Sequence, residues 1–282
     1  MDKVTLHTLQ AMKERGEPIT MLTAYDYPTA RLIDLSGVDM ILVGDSLGMV
    51  VHGFETTLPV TMEMMILHCR AVRRGVERAY LIGDMPFGSY QLSVEKAKRN
   101  AVRLLAEGGV DAVKLEGGQP AAETIRALVE MGVAVQGHIG LTPQSISALG
   151  GFKAQGKTLE AARRLLDDAR ALEQAGVFSL VLESVPARLA ALITRSVRVP
   201  AIGIGAGAGC DGQVLVTHDL LGLSVRHTPK FAKRYADLAA VMQSAFKAYR
   251  DEVRARAFPS TEHEFSIADE VWAQIEAEAA GG

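Results

Sequence analysis

AVKLE, residues 112–116, is a run of strand-forming residues that stops at a glutamate. The pattern recurs along the chain: MILVGD ends at Asp45, AYLIGD at Asp84, VAVQGH at His138 and SLVLE at Glu183. An unpaired carboxylate gains nothing inside a packed sheet, because stripping it of water costs several kcal/mol or more. Four acids and a histidine at equivalent places therefore point to one functional face.

Strand candidates fall at 18–24, 40–43, 79–82, 112–115, 133–137, 179–182, 199–204 and 213–216. Most are continuous apolar runs, as parallel strands covered on both faces require, and most gaps between them carry a helical period. The clearest helices span 93–107, with Ser93 as cap and Gly108 as stop, and 158–175, with Thr158 as cap and Gly176 as stop. Eightfold β/α alternation predicts a single (β/α)8 TIM barrel, a fold for which 282 residues is a suitable length. The expected organisation is a barrel domain over 1–259, with a short helix at 3–15 and a long one at 230–256. An acidic extension of unknown role follows at 260–282.

Apolar residues make up 48% and charged residues 22% of the chain, and the net charge is only −3, with no basic block. That balance fits a packed globular protein and argues against a nucleic-acid partner. The N-terminus lacks a secretory pattern and no window approaches the roughly 18 apolar residues of a membrane span, so a cytoplasmic location is expected. Cys69 and Cys210 lack metal-ligand spacing and are read as free thiols.

In a parallel barrel the C-terminal strand ends converge on one face. Asp45, Asp84 and Glu116 follow neighbouring strands, and three adjacent carboxylates repel unless a cation lies among them. Hard oxygen ligands favour Mg²⁺. Lys114 shares a strand face with Glu116 and needs an anion, either a substrate carboxylate or one of the acids; a Schiff base is a weaker reading. Glu183, expected across the barrel from the acids and flanked by Val181, Leu182, Val185 and Pro186, is the candidate for proton transfer. His138 competes for that task, or could bond a developing oxyanion. The glycine run GIGAGAGCDG at 203–212 matches neither GxGxxG nor a P-loop, which leaves a tight turn.

With those residues placed, the chain resembles the ketopantoate hydroxymethyltransferases. The resemblance lies in TAYDYPTA at 23–30, LVGDSLGMVVHG at 42–53, TLPVT at 57–61, GDMPFGSY at 83–90, VKLEGG at 113–118, GHIGLTPQS at 137–145, LVLESVP at 180–186, IGIGAG at 202–207, DGQVLV at 211–216 and HTPKFAK at 227–233. It implies a barrel of the phosphoenolpyruvate/pyruvate superfamily and a decamer. It assigns Asp45, Asp84 and Glu116 to a Mg²⁺ site, Ser46 and Lys114 to 2-oxoacid contacts, and Glu183 to the catalytic base. The implied reaction moves a hydroxymethyl group from 5,10-methylenetetrahydrofolate to 3-methyl-2-oxobutanoate through a magnesium-stabilised enolate, in pantothenate synthesis. Another magnesium-dependent 2-oxoacid aldolase or lyase of the same superfamily is the alternative, and a barrel that binds the metal–oxoacid complex without turnover is a second.

Overall fold

The computed structural model describes residues 2–149, 151, 153–223 and 229–281. Eight parallel strands close in sequence order: β1 (Ile19–Thr23), β2 (Met40–Val43), β3 (Tyr80–Asp84), β4 (Ala112–Glu116), β5 (Val135–Gly140), β6 (Ser179–Glu183), β7 (Ala201–Ile204) and β8 (Gly212–Leu215). Closure is made by β8 against β1, with Ile19 opposite Gly212 and Leu22 opposite Leu215. The helices are α1 (Leu6–Arg15), α2 (Tyr27–Leu35), α3 (Leu47–Val50), α4 (Met62–Arg73), α5 (Val94–Ala106), α6 (Ala122–Glu130), α7 (Ile146–Leu149), α8 (Leu159–Ala175), α9 (Ala187–Ser196), α10 (Thr217–Leu220), α11 (Leu238–Arg254) and α12 (Asp269–Ala280). The expected eight-stranded barrel is present, and the helices at 93–107 and 158–175 appear with their caps: Ser93 accepts from Lys96 N–H, Thr158 accepts from Ala161 N–H, and Gly176 ends α8 in the left-handed region.

Side-chain alternation along each strand sorts the core into two layers. Ile41, Leu81, Val113, Leu115, Val135, Leu180 and Leu182 point outward and pack under the helices. Met21, Met40, Leu42, Tyr80, Ile82, Ala112, Ile202 and Val214 fill the barrel interior. Counting by twos from the interior residues carries Ile82 to Asp84, Ala112 to Lys114 and Glu116, and Val181 to Glu183. The inward row therefore changes from apolar to ionisable toward the C-terminal ends of the strands.

The tight turn expected at 203–212 is present: the glycine run joins β7 directly to β8, with Gly205 at φ +62° and Gly207 at φ +82°. A Cβ at Gly207 would lie 2.5 Å from that of Ala187, and one at Gly209 would lie 2.6 Å from that of Ala191. Loop backbone thus packs directly on α9, which is why small residues are needed there. His138, expected to end its strand, instead lies inside β5, which continues to Gly140.

The chain divides into two compact units, Met1–Tyr235 and Ala236–Gly282. In the second, the helix expected over 230–256 begins at Leu238, where Asp237 accepts from Ala240 N–H. No residue of α11 or α12 is buried. Among the described residues, no helix is long and apolar enough to cross a membrane.

Candidate active site

Five inward-facing groups meet at the C-terminal end of the barrel. Lys114 Nζ lies 2.8 Å from Asp84 Oδ1, and both side chains are almost fully buried. His138 Nδ1 lies 3.5 Å from Glu116 Oε1, and its Nε2 lies 3.2 Å from Glu183 Oε2. Nε2 has no partner aligned for a hydrogen bond, so the Glu183 contact is an ion-pair approach. Asp45, two residues beyond β2, donates its backbone N–H to Asp84 Oδ2 at 3.3 Å. Ser46, beside it, shares a 2.8 Å hydrogen bond with the Tyr25 hydroxyl.

Glu183, on β6, stands across the closed barrel from β2 and β3, which position Asp45 and Asp84, and one strand from His138 on β5. The histidine forms a bridge between Glu116 and Glu183. Lys114 pairs with Asp84 rather than with Glu116, its neighbour on the same strand.

Charge in the cluster is unevenly held. Burial, then Asp84 and Glu116, push the Asp45 carboxyl well above the usual carboxylate range. Burial also raises Asp84, and Lys114 only partly offsets it. Glu116 is buried as well, but its contact with His138 holds it below its ordinary value. For Lys114, burial opposes the charge, yet Asp84, Glu116 and Asp45 together raise it above the ordinary lysine value. That raised value disfavours the free amine a Schiff base requires, which weighs against that reading. His138 is opposed by burial and by Lys114, but Glu116 and Glu183 prevail and its pKa is pushed up to about 9. A pKa raised in this way favours the protonated ring at neutral pH and weighs against His138 as the proton acceptor, with Lys114 Nζ 3.4 Å from its Nδ1.

Gln144 organises the acids, and sequence reasoning missed it. Its Nε2 donates to Asp45 Oδ2 and to the Met85 carbonyl, each at 2.9 Å, while its backbone N–H donates to Glu116 Oε2 at 3.0 Å. Its Oε1 accepts from the Tyr90 hydroxyl at 2.9 Å and from Gln91 Nε2 at 3.0 Å. Tyr90 in turn accepts the backbone N–H of Glu116 at 3.0 Å. These neutral side chains lie within or beside GDMPFGSY and GHIGLTPQS, but a search for charge passes over them.

Among the described residues, no three of His, Cys, Asp and Glu form a ready-made metal-ligand set. A fit to Mg²⁺ rests instead on Asp45 and Asp84, whose adjacency and raised pKa values mark an excess of negative charge that a cation relieves. One or two carboxylates plus water and substrate oxygens is the usual protein share of a magnesium shell.

The description ketopantoate hydroxymethyltransferase belongs to the family model that matches residues 3–261. A curated relative from Syntrophotalea carbinolica, named 3-methyl-2-oxobutanoate hydroxymethyltransferase, is 57% identical over 262 residues, covering 93% of this chain and 98% of the relative. One of the same name from Moorella thermoacetica is 59% identical over 263 residues, covering 93% and 98%. Among solved structures, a phosphonopyruvate hydrolase complex with oxalate and Mg²⁺ superposes with a TM-score of 0.59 at 14% identity, covering 99% of this chain and 97% of that one. A 2,3-dimethylmalate lyase, described as a PEP mutase/isocitrate lyase superfamily member, gives 0.56 at 16% identity, covering 97% and 98%. At those identities the likeness establishes the fold.

Proposed function

This chain belongs to the ketopantoate hydroxymethyltransferase family, and from that premise we propose that its strand-end cluster transfers a hydroxymethyl group from 5,10-methylenetetrahydrofolate to 3-methyl-2-oxobutanoate. The products are 2-dehydropantoate and tetrahydrofolate, a step of pantothenate synthesis. The relatives named for this activity cover nearly the whole chain, which places the enzyme among the transferases. The observation that carries the mechanism is the split site: a carboxylate pair beside a lysine at one side, and Glu183 beside an imidazolium at the other.

Asp45 and Asp84 would hold Mg²⁺, with Glu116 adding charge while His138 and Gln144 engage its oxygens. A cation held there would supply Lewis acidity at the ketone end of the oxoacid and so ease loss of the C3 proton. Lys114 faces the substrate carboxylate, and Ser46, held by Tyr25, bonds to the same end of the oxoacid. Glu183 takes the C3 proton. His138, 3.2 Å away, holds Glu183 in place for that transfer. The carbon nucleophile then forms its bond to the one-carbon unit, water supplies the hydroxyl oxygen, and tetrahydrofolate leaves.

The family resemblance extends this reading to a homodecamer. Helix α11 supports an oligomer, since Val241, Phe246 and Tyr249 are each at least 60% exposed. The direct test incubates purified protein with 3-methyl-2-oxobutanoate and 5,10-methylenetetrahydrofolate, with and without Mg²⁺. Metal-dependent 2-dehydropantoate is the expected product. Absence of turnover with metal present, or cleavage of a 2-oxoacid substrate instead, would move the protein to the aldolase or lyase reading.

A further inference from the structure

Away from the strand-end acids, two histidines converge with a geometry that a simple ring contact does not require. His52, just past α3, and His68, on α4, bring their Nε2 atoms to 3.1 Å. The rings meet edge-on, 5.3 Å between centroids and 84° between planes. His68 Nδ1 lies 2.6 Å from the Tyr25 carbonyl oxygen, an acceptor that requires the proton to sit on Nδ1. The Nε2 lone pair of neutral His68 is thereby aimed at His52. An imidazole anchored by a backbone carbonyl on its other nitrogen is the arrangement that orients metal-ligating histidines.

The spacing fits chelation. With Zn–N bonds of about 2.05 Å, two nitrogens 3.1 Å apart subtend about 98° at the metal, between the octahedral and tetrahedral angles. Without metal, His52 supplies the proton of the 3.1 Å contact from its Nε2. That proton moves to Nδ1 on binding, a tautomeric shift that leaves the ring neutral. His52 is exposed, so the shift can proceed through water and the remaining coordination positions stay open.

We propose that His52 and His68 form a chelating site for a borderline divalent cation, Zn²⁺ in the first instance, separate from the carboxylates at the strand ends. Two imidazoles select Zn²⁺, Cu²⁺ or Ni²⁺, whereas oxygen donors favour Mg²⁺, so the two sites sort ions by ligand type. The chelate would tie together three segments around Ser46: the loop beyond α3, helix α4, and the end of β1, where Tyr25 presents its carbonyl to His68 and its hydroxyl to Ser46 at 2.8 Å. Occupancy would therefore fix the loop that carries Asp45 and Ser46.

The test titrates Zn²⁺ into full-length protein in excess Mg²⁺, against His52→Gln and His68→Gln, and locates the ion by anomalous scattering at the zinc edge. Each variant should weaken one Zn²⁺ site by more than the roughly 10–100-fold that loss of an outer anchor costs. The ion should appear between the two Nε2 atoms. Zn²⁺ binding unchanged in both variants, or anomalous density confined to the strand-end acids, overturns the proposal. Gln at 68 retains an amide donor for Tyr25, and His52 lies on the surface, so neither result depends on unfolding.

Discussion

Replacing Glu183 by Gln removes one negative charge and one proton acceptor while keeping the shape of the side chain. In the structure Glu183 touches His138 at 3.2 Å and stands apart from the Asp84–Lys114 pair, so the oxoacid end of the site should survive the change. Removing a general base costs about 100-fold to 10,000-fold in the step it serves, or roughly 3–5 kcal/mol of barrier. Glu183 is also one of the two carboxylates that raise His138, so its loss lowers that pKa from about 9 and leaves Glu116 as the sole opposing acid. The assay needs no folate: 3-methyl-2-oxobutanoate is incubated with enzyme and Mg²⁺ in deuterated water, and loss of the C3 proton signal is followed by NMR. Wild type should exchange, and Glu183→Gln should exchange at least about 100-fold more slowly with oxoacid affinity within a few fold. Exchange at the wild-type rate would refute the assignment. Loss of oxoacid binding in parallel would show that Glu183 positions substrate rather than taking its proton.

Asp84→Asn should abolish metal-dependent oxoacid binding in calorimetry, and chelation of wild type should do the same reversibly; an oxoacid affinity insensitive to both would remove the metal from the site. In the chelated protein, His138 stabilises the fold as an imidazolium. Its pKa rises from 6.5 unfolded to about 9 folded, so the contribution is full below about 6.5 and lost as pH rises through 9. The shift corresponds to at most about 3 kcal/mol. Urea midpoints measured across that window should fall for wild type and flatten for His138→Gln, whereas parallel slopes would contradict an imidazolium in the folded state. Gln144→Leu removes the side-chain donor of Asp45 Oδ2 and of the Met85 carbonyl, at about 1–3 kcal/mol for each buried group left unsatisfied. Mg²⁺ affinity should fall by roughly 10–100-fold, as loss of an outer-shell partner does, with secondary structure by circular dichroism retained.

The sequence revealed most of what repeats. Parallel strands buried on both faces read as apolar runs, and caps such as Ser93 and Thr158 mark where helices begin, so the eight strands and the two strongest helices were legible locally. The tight turn between β7 and β8 was legible from its glycines, but their packing was not, because Gly207 and Gly209 lie against Ala187 and Ala191 on another element. Strand ends were read one residue at a time from where apolarity stopped. That rule failed at His138, where two more residues continue the β5 ladder opposite Leu182 and Glu183.

The site itself shows why charge was the wrong unit of reading. Each acid was visible, but what an acid does depends on the residue against it, and that residue comes from another strand. Asp84 meets Lys114 from β4, Glu183 meets His138 from β5, and Glu116 meets both His138 and the backbone of Gln144. Lys114 and Glu116 lie on one strand face two residues apart, and the sequence left the lysine's partner open among the acids and a substrate carboxylate; barrel register gives it Asp84, directly opposite on β3. The same register places an imidazolium between Glu116 and Glu183, which divides four similar carboxylates into two roles. Asp45 and Asp84, with raised pKa values and a single lysine paired to Asp84, are short of positive charge. Glu183 stands instead against His138 at 3.2 Å, away from that pair. In the reaction proposed here the difference between ligand and base arises from cross-strand neighbours, and a change of partner at His138 should alter the proton-transfer side while leaving the Asp84–Lys114 side intact.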